Sequence, residues 1–404
     1  MKKFWVIISA LALFDANCKD VQRKSYQNKI QKKRRAVHKK VGLPDAKQAI
    51  LIDFDTDEVL YEKNPEERCA PSSMTKLMTL YLLFSSIRDG FIKKDDEFFV
   101  SKAAQRMEGS RSFLEAGTRV KIENLIRSII VHSGNDACIV VAEGLSGDTN
   151  IFVEEMNRKA IEFGLTNTHF TNPTGLSNKD HYSTVHDLAI IAKRLMKDFP
   201  EYYHYFSEKV FTISGITQRN RNALLGNSLN VDGLKTGHTD AGGFGLVAST
   251  IRNGKRLISV VNGCSSEKSR CVASNNLLIL GYREFSNLKA IQAGIPVEKL
   301  KIWLGDKQEI DVCTHEDIDI MIPRRFLSEL KIEAKMKEPL EAPVSLGAKV
   351  GELSYRYGNF VSKKYDLFAC QEVRKANFFE YLKFLINYHL LRSFQDNQIR
   401  EVAG

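Results

Sequence analysis

Two short apolar runs, AILIDF (Ala49–Phe54) and EVLYEKN (Glu58–Asn64), flank Asp55-Thr56-Asp57 and read as a hairpin. Pro71 marks a turn. From Ser73 to Arg88 the chain is then apolar on nearly every side of a helical projection, until Asp89-Gly90 stops it. A helix apolar all round is a buried one, so Ser73 is expected at the tip of a central helix. Helical periodicity returns at Lys121–Val131, Asp136–Glu143, Thr149–Phe163 and Ser183–Asp198. Strand patterns follow at Leu234–His238, Gly243–Ile251 and Lys255–Val261, with Asn253-Gly254 predicting a type I′ turn between the last two. A helix at Glu267–Phe285 closes the region. Strands at both sequence ends with helices between predict an α/β domain in the broad sense (α+β), an antiparallel sheet flanked by helices, over residues 41–289.

Beyond residue 290 the pattern changes to short runs alternating apolar with polar residues, as in LKIWLGDKQEIDVCTHEDIDIMIP, and a small all-β domain is expected at 290–373. Residues 374–404 change again. In ANFFEYLKFLINYHLLRSF, Glu380, Lys383 and Asn387 form a narrow polar stripe on an otherwise apolar helix. Its charges argue against a span; it suits an amphipathic helix at a membrane surface, the alternative being docking on its own domain.

Composition alters this picture at one end. The formal net charge is +10, but residues 19–40 hold ten Lys/Arg against a single Asp, and residues 1–18 add the remaining unit. The body of the chain is therefore neutral, which excludes an electrostatic footprint for nucleic acid there. The basic stretch reads as a disordered linker, with attraction to anionic lipid headgroups as the second reading. Ahead of it, Lys2-Lys3 and the apolar Phe4–Phe14 have the form of a secretory signal over residues 1–18, too short to span a bilayer. Cleavage after Ala12 or after Ala16 stays open, and export is expected. The seven cysteines include no C-x-x-C pair, and no His/Glu set has ligand spacing, so neither metal nor cofactor is expected.

Candidate chemistry starts at Ser73-Met74-Thr75-Lys76. S-x-x-K is a common pattern that recurs at Ser265, Ser286 and Ser328, and a serine there is also an ordinary helix cap. Two later motifs single out the first copy: Ser133-Gly134-Asn135 in a loop between helices, and Lys235-Thr236-Gly237 on a strand. The order S-x-x-K, S-x-N, K-T-G is the signature of penicillin-interacting serine enzymes. A helix places residues three apart on one face, so the Lys76 amine can meet the Ser73 hydroxyl; it serves as base only if burial and a neighbouring cation, Lys235, depress its pKa.

Here the chain resembles the D-alanyl-D-alanine carboxypeptidases, the low-molecular-mass penicillin-binding proteins. Further matching stretches are AILID, VLYEKN, TNPTGL (Thr171–Leu176), STVHDLA (Ser183–Ala189) and VDGLKTGHTDAGGFGLVAST (Val231–Thr250), so the likeness covers residues 45–375. It implies the penicillin-binding transpeptidase-like fold, a peptidoglycan stem ending in D-Ala-D-Ala as substrate, acylation by β-lactams, and the periplasmic or outer face of the cell membrane as location. It further implies Ser73 as nucleophile, Lys76 as base, Ser133 as proton relay and Asn135 as peptide holder. Lys235 and Thr236 would face the terminal carboxylate, with Gly237 beside them; the N–H groups of Ser73 and His238 would form the oxyanion hole, and Arg270 would assist with the carboxylate. Three rivals share the motifs: a D,D-endopeptidase, which usually lacks the β domain; a serine β-lactamase, whose E-x-x-L-N acid is missing from THFTNPTGL; and a non-catalytic penicillin-binding sensor, which would have lost a motif residue.

Overall fold

A computed structural model describes residues 46–378, apart from 337, 338, 359 and 363, together with Leu382. The expected signal, basic linker and C-terminal amphipathic helix lie outside the described residues, save for the first positions of the last. The described residues form two compact units with the boundary between Phe285 and Ser286.

The first unit is built on strands β1 (Gln48–Asp53) and β2 (Val59–Lys63) and a one-turn 3₁₀ segment, Ser72–Thr75, that runs directly into helix α1 (Lys76–Arg88). The nucleophile candidate therefore stands in the tight turn ahead of the α-helix, not in its first α-helical turn. Side chains at i and i+3 eclipse in a 3₁₀ segment, which sets Ser73 over Lys76 more closely than an α-turn does. Strands β3 (Glu97–Phe99) and β4 (Arg119–Lys121) pair across short helix α2 (Lys102–Gln105), and helix α3 (Ile122–Arg127) follows. The expected helix Lys121–Val131 ends early, in a widened π-type turn over Ser128–His132 that delivers Ser133 in a left-handed conformation, φ +59°. Helices α4 (Asn135–Ser146), α5 (Thr149–Glu162) and α6 (Val185–Asp198) come next. Asp148 and Thr184 cap the last two by accepting backbone N–H groups.

A hairpin of β5 (Val210–Ile213) and β6 (Ile216–Arg219), turning at Ser214-Gly215, was not foreseen from the pattern. Strands β7 (Val231–Thr239), β8 (Gly243–Arg252) and β9 (Lys255–Cys264) and helix α7 (Glu267–Glu284) complete the unit, in an antiparallel sheet of order β2-β1-β9-β8-β7. Asn253 and Gly254 both take positive φ at the two-residue turn joining β8 to β9, as the type I′ signal requires.

Alternation explains why β1 is apolar at consecutive positions. Ile50 and Ile52, with Ile258 and Val260, join the helical core around α1. Leu51 and Leu257 point the other way, toward α7, where a Cβ on Gly281 would lie 2.6 Å from Leu257. The sheet is thus covered on both faces. In the helical core, Phe84 is fully buried and packs on Phe199 and Tyr202 at centroid distances of 5.8 and 4.8 Å.

The second unit is built mainly of β-strands among the described residues, with one 3₁₀ segment at Arg324–Glu329. Strands β10 (Phe285–Ile291) and β13 (Ile318–Pro323) pair with each other. Strands β11 (Glu298–Trp303), β12 (Glu309–Cys313), β14 (Lys331–Met336), β15 (Leu340–Glu341), β16 (Lys349–Tyr357) and β18 (Tyr365–Ala369) form a sheet of order β14-β16-β18-β12-β11-β15, with β17 (Phe360–Val361) on β16. Its core holds Leu300, Ile310, Val312, Ile320, Leu353 and Leu367. Among the described residues, no helix is long and apolar enough to cross a membrane.

Replacing Phe84 with Ala removes a fully buried ring and its contacts with Phe199 and Tyr202, and is expected to cost about 3–5 kcal/mol, read as a shift in the denaturation midpoint at unchanged slope.

Candidate active site

The first unit brings the three motifs to one place. Lys76 is fully buried, and its Nζ lies 2.8 Å from Ser73 Oγ, 2.8 Å from Asn135 Oδ1 and 2.6 Å from the carbonyl oxygen of Thr174. The last two can only accept. A neutral Lys76 amine therefore commits two N–H bonds to Asn135 and Thr174 and turns its lone pair to the Ser73 hydroxyl. Asn135 cannot rotate out of this arrangement without loss, because its Nδ2 donates to the carbonyl of Glu108 at 2.6 Å.

Burial is the main force lowering the Lys76 pKa, to about 8, opposed by the Cys138 thiol and the Asp136 carboxylate. Lys235 is also fully buried; burial first and the Lys76 charge second hold it well below the ordinary lysine value. Lys235 Nζ donates to Ser133 Oγ at 2.9 Å and to the Thr236 carbonyl at 3.2 Å. Two serine–lysine pairs thus lie close enough for the two lysines to influence each other's charge, while Ser73 itself stays partly exposed.

Local folding places each part. Gly237, on β7, has its Cα against the nucleophile turn: a Cβ there would lie 3.0 Å from the Pro71 carbonyl oxygen and 3.1 Å from Ser72 Cβ. Close packing against that turn requires glycine there. Thr236 is buried and His238 exposed, its ring stacked on Phe244 at 3.9 Å. Arg270 is buried: Nη1 donates to the Gly237 carbonyl at 3.2 Å and Nη2 to Glu267 at 2.6 Å and the Arg221 carbonyl at 3.4 Å, while its Nε has no hydrogen-bond partner among the described residues. It braces the strand of the third motif from its own helix.

Several contributors were not assigned a role from sequence. The Thr171–Leu176 loop supplies the Thr174 carbonyl, and its shape is set by Asn172 Oδ1, which accepts from the N–H groups of Thr174, Gly175 and Leu176. Gly175, at φ +82°, faces the Ser72 carbonyl so closely that a Cβ would sit 1.8 Å from its oxygen. His181 donates from Nε2 to Thr75 Oγ1 at 2.8 Å, because its Nδ1 accepts from Thr171 N–H at 3.0 Å; burial pushes its pKa down to about 4, keeping it neutral. Asp136 accepts from Ala137 N–H and also from Ser112 and Leu114 N–H, fastening that segment to the start of α4. The Arg221 charge also depresses Lys235. The quoted motif TNPTGL was the available signal for the loop; Asp136 and His181 carried none, since their partners are distant in sequence.

Among the described residues, Glu66, His186 and Asp187 are the one group able to offer three metal-ligand atoms together. His186 is already paired with Glu66 at 3.1 Å and Asp187 already accepts from Thr168 Oγ1 at 2.7 Å, so the group is satisfied as an ion pair and a hydrogen bond.

A serine bonded to a buried lysine, with a second serine–lysine pair beside it on a helix-flanked antiparallel sheet, defines a penicillin-interacting serine hydrolase. Residues 35–266 match the family model described as D-alanyl-D-alanine carboxypeptidase, and residues 285–375 match that of the penicillin-binding protein 5 C-terminal domain. The D-alanyl-D-alanine carboxypeptidase DacA of Haemophilus influenzae is 37% identical over 340 residues, 83% of this chain and 86% of that protein. The crystal structure of penicillin binding protein 5 from the same organism superposes with a TM-score of 0.76 at 36% identity, over 82% of this chain and 98% of that one. A D-alanyl-D-alanine endopeptidase of Pseudomonas aeruginosa is 31% identical over 229 residues, 53% of this chain and 71% of that protein. The chain belongs to the D-alanyl-D-alanine carboxypeptidase family, and is a serine-type hydrolase.

If neutral Lys76 is the base, the rate of acylation by a penicillin rises with pH along a limb centred near 8, since deprotonation creates the reactive form. Stopped-flow acylation between about pH 6 and 10 measures this; a flat profile would remove Lys76 from that role.

Proposed function

We propose that the chain removes the terminal D-alanine from peptidoglycan pentapeptide stems through an acyl-enzyme on Ser73, and that β-lactams acylate the same hydroxyl. The observation that carries this reading is the 2.8 Å contact between Lys76 Nζ and Ser73 Oγ in a site where burial favours the neutral amine. Lys76 takes the Ser73 proton as Oγ attacks the carbonyl carbon of the penultimate D-alanine. Charge developing on the carbonyl oxygen is met by the N–H groups of Ser73 and His238. The C–N bond then breaks, and the departing amine receives a proton from Ser133, itself resupplied across the 2.9 Å contact with Lys235. Asn135 holds the substrate amide, and Thr236 with Lys235 meets the terminal carboxylate beside Gly237. Arg270 contributes by fixing the strand and by its positive charge. Water completes the cycle by cleaving the ester.

The rivals fare less well. The C-terminal domain match at residues 285–375 favours carboxypeptidase over endopeptidase. All five chemical residues, Ser73, Lys76, Ser133, Asn135 and Lys235, are present, which argues against a silent sensor. The loop that supplies the Thr174 carbonyl has no carboxylate between Thr168 and Leu176, which argues for a long-lived penicilloyl ester over fast β-lactam turnover. The proposal extends to export and to peripheral attachment at the outer or periplasmic face of the membrane through residues 374–404, supported by the sequence patterns alone.

Incubation with penicillin G should add one penicilloyl group to the intact mass, and the Ser73→Ala variant should show none; release of free D-alanine from a synthetic pentapeptide then separates hydrolysis from binding. An adduct that survives Ser73→Ala overturns the assignment. Deleting residues 376–404 is expected to move the protein from the membrane pellet to the supernatant, and unchanged sedimentation would refute an anchor there.

A further inference from the structure

The central seam of the sheet in the second unit is narrow. Strands β14 and β16 run in register from Lys331↔Arg356 to Met336↔Gly351, whereas β12 and β18 share only Val312↔Ala369 and Cys313↔Phe368. One more bond, from Cys370 N–H to the Asp311 carbonyl at 3.0 Å, extends the seam beyond the end of β18. Through it, the β14-β16-β18 half of the sheet is joined to the β12-β11-β15 half.

Both ends of that seam carry a cysteine. Cys313 lies opposite Phe368, and Cys370 lies two residues further along the same strand direction, so alternation puts both thiols on one face as diagonal neighbours. The Cys313 thiol is near enough to raise the Cys370 pKa, and Cys370 Sγ lies 4.0 Å from the Phe368 carbonyl oxygen, opposite Cys313. Cys313 is buried, while Cys370 is partly exposed and so open to a reagent. His315 stacks on Phe368, the residue opposite Cys313, at 3.7 Å.

We propose that Cys313 and Cys370 are a disulfide site: under oxidising conditions they form one S–S bond that staples β12 to the end of β18. The oxidant is a small or protein disulfide. A Cys thiolate attacks one of its sulfurs, releasing a thiolate and leaving a mixed disulfide; the second Cys displaces the remaining half. Two S–H bonds are lost and one S–S bond forms. The two electrons and two protons end on the oxidant as two thiols. Burial and the neighbouring thiol push Cys370 up to about 12, so its thiolate is scarce at neutral pH and its exchange with the oxidant is slow. The bond closes the chain from Cys313 to Cys370 into a loop, which restricts the unfolded chain and holds the two half-sheets in register.

The test uses the full chain and oxidised glutathione as the probe. After incubation, non-reducing peptide mapping should find the Cys313 and Cys370 peptides linked, with the intact mass lowered by two hydrogens for that bond. The amide of Cys370 should exchange more slowly, and the unit's melting temperature should rise by at least about 4 °C over the reduced protein. Cys313→Ser should abolish both changes; Cys370→Ala is the second variant should the first fail to fold. Linkage of either cysteine to a different partner, glutathione adducts that never resolve, or free alkylation of both thiols in oxidised wild type would each overturn the proposal. So would a linked pair with no change in exchange or melting, since the staple would then hold nothing.

Discussion

The active site hangs on a single buried ammonium group made marginal. Lys76 is fully buried, and three oxygens stand where its three hydrogens would point. Charged, it is fully bonded but desolvated; neutral, it keeps two of those bonds and gains a proton acceptor aimed at Ser73. The near balance between these forms is what the surrounding fold maintains. Helix α1 is apolar all round because it must carry the lysine into the core, and Asn135 and Thr174 come from two other segments to complete the cage.

Each wall of that cage is secured in turn by something further out. Asn135 is held by the Glu108 carbonyl, and the Ser112–Leu114 stretch nearby is held by Asp136. Thr174 is held by the Asn172 side chain, and the loop containing it is tied to the nucleophile turn by neutral His181. Lys235 is set by the strand that Arg270 clamps. These outer contacts are mostly side chain to backbone, so they fix where carbonyls and amides point; Asp136 and Arg270 are the charged groups among those named.

Much of this was legible beforehand, for reasons that can be named. The central helix, the type I′ turn at Asn253-Gly254 and the strand–helix order follow from local patterns that depend on near neighbours. The three motifs were legible because each needs particular residue types at short spacing. The 3₁₀ geometry at Ser72–Thr75 and the π-type turn before Ser133 were not, since both are imposed by tertiary contacts and no local signal marks them. The β5–β6 hairpin was missed because its strands are short and half exposed, with little apolar contrast. The sequence places Gly237 beside the substrate carboxylate, but its close neighbours are the Pro71 carbonyl and the Ser72 and Met74 side chains, which are brought near only by folding.

Gly175 bears on how such a site can change over generations. Its α-carbon faces the Ser72 carbonyl with no room for a methyl group, so the turn carrying the nucleophile and the loop carrying the Thr174 carbonyl are two halves of one mould. Neither can be exchanged for a foreign counterpart unless the other travels with it. Positions 72–76 and 171–176 should therefore behave as one inherited block, drifting together in lineages and transplanting only as a pair in chimeras.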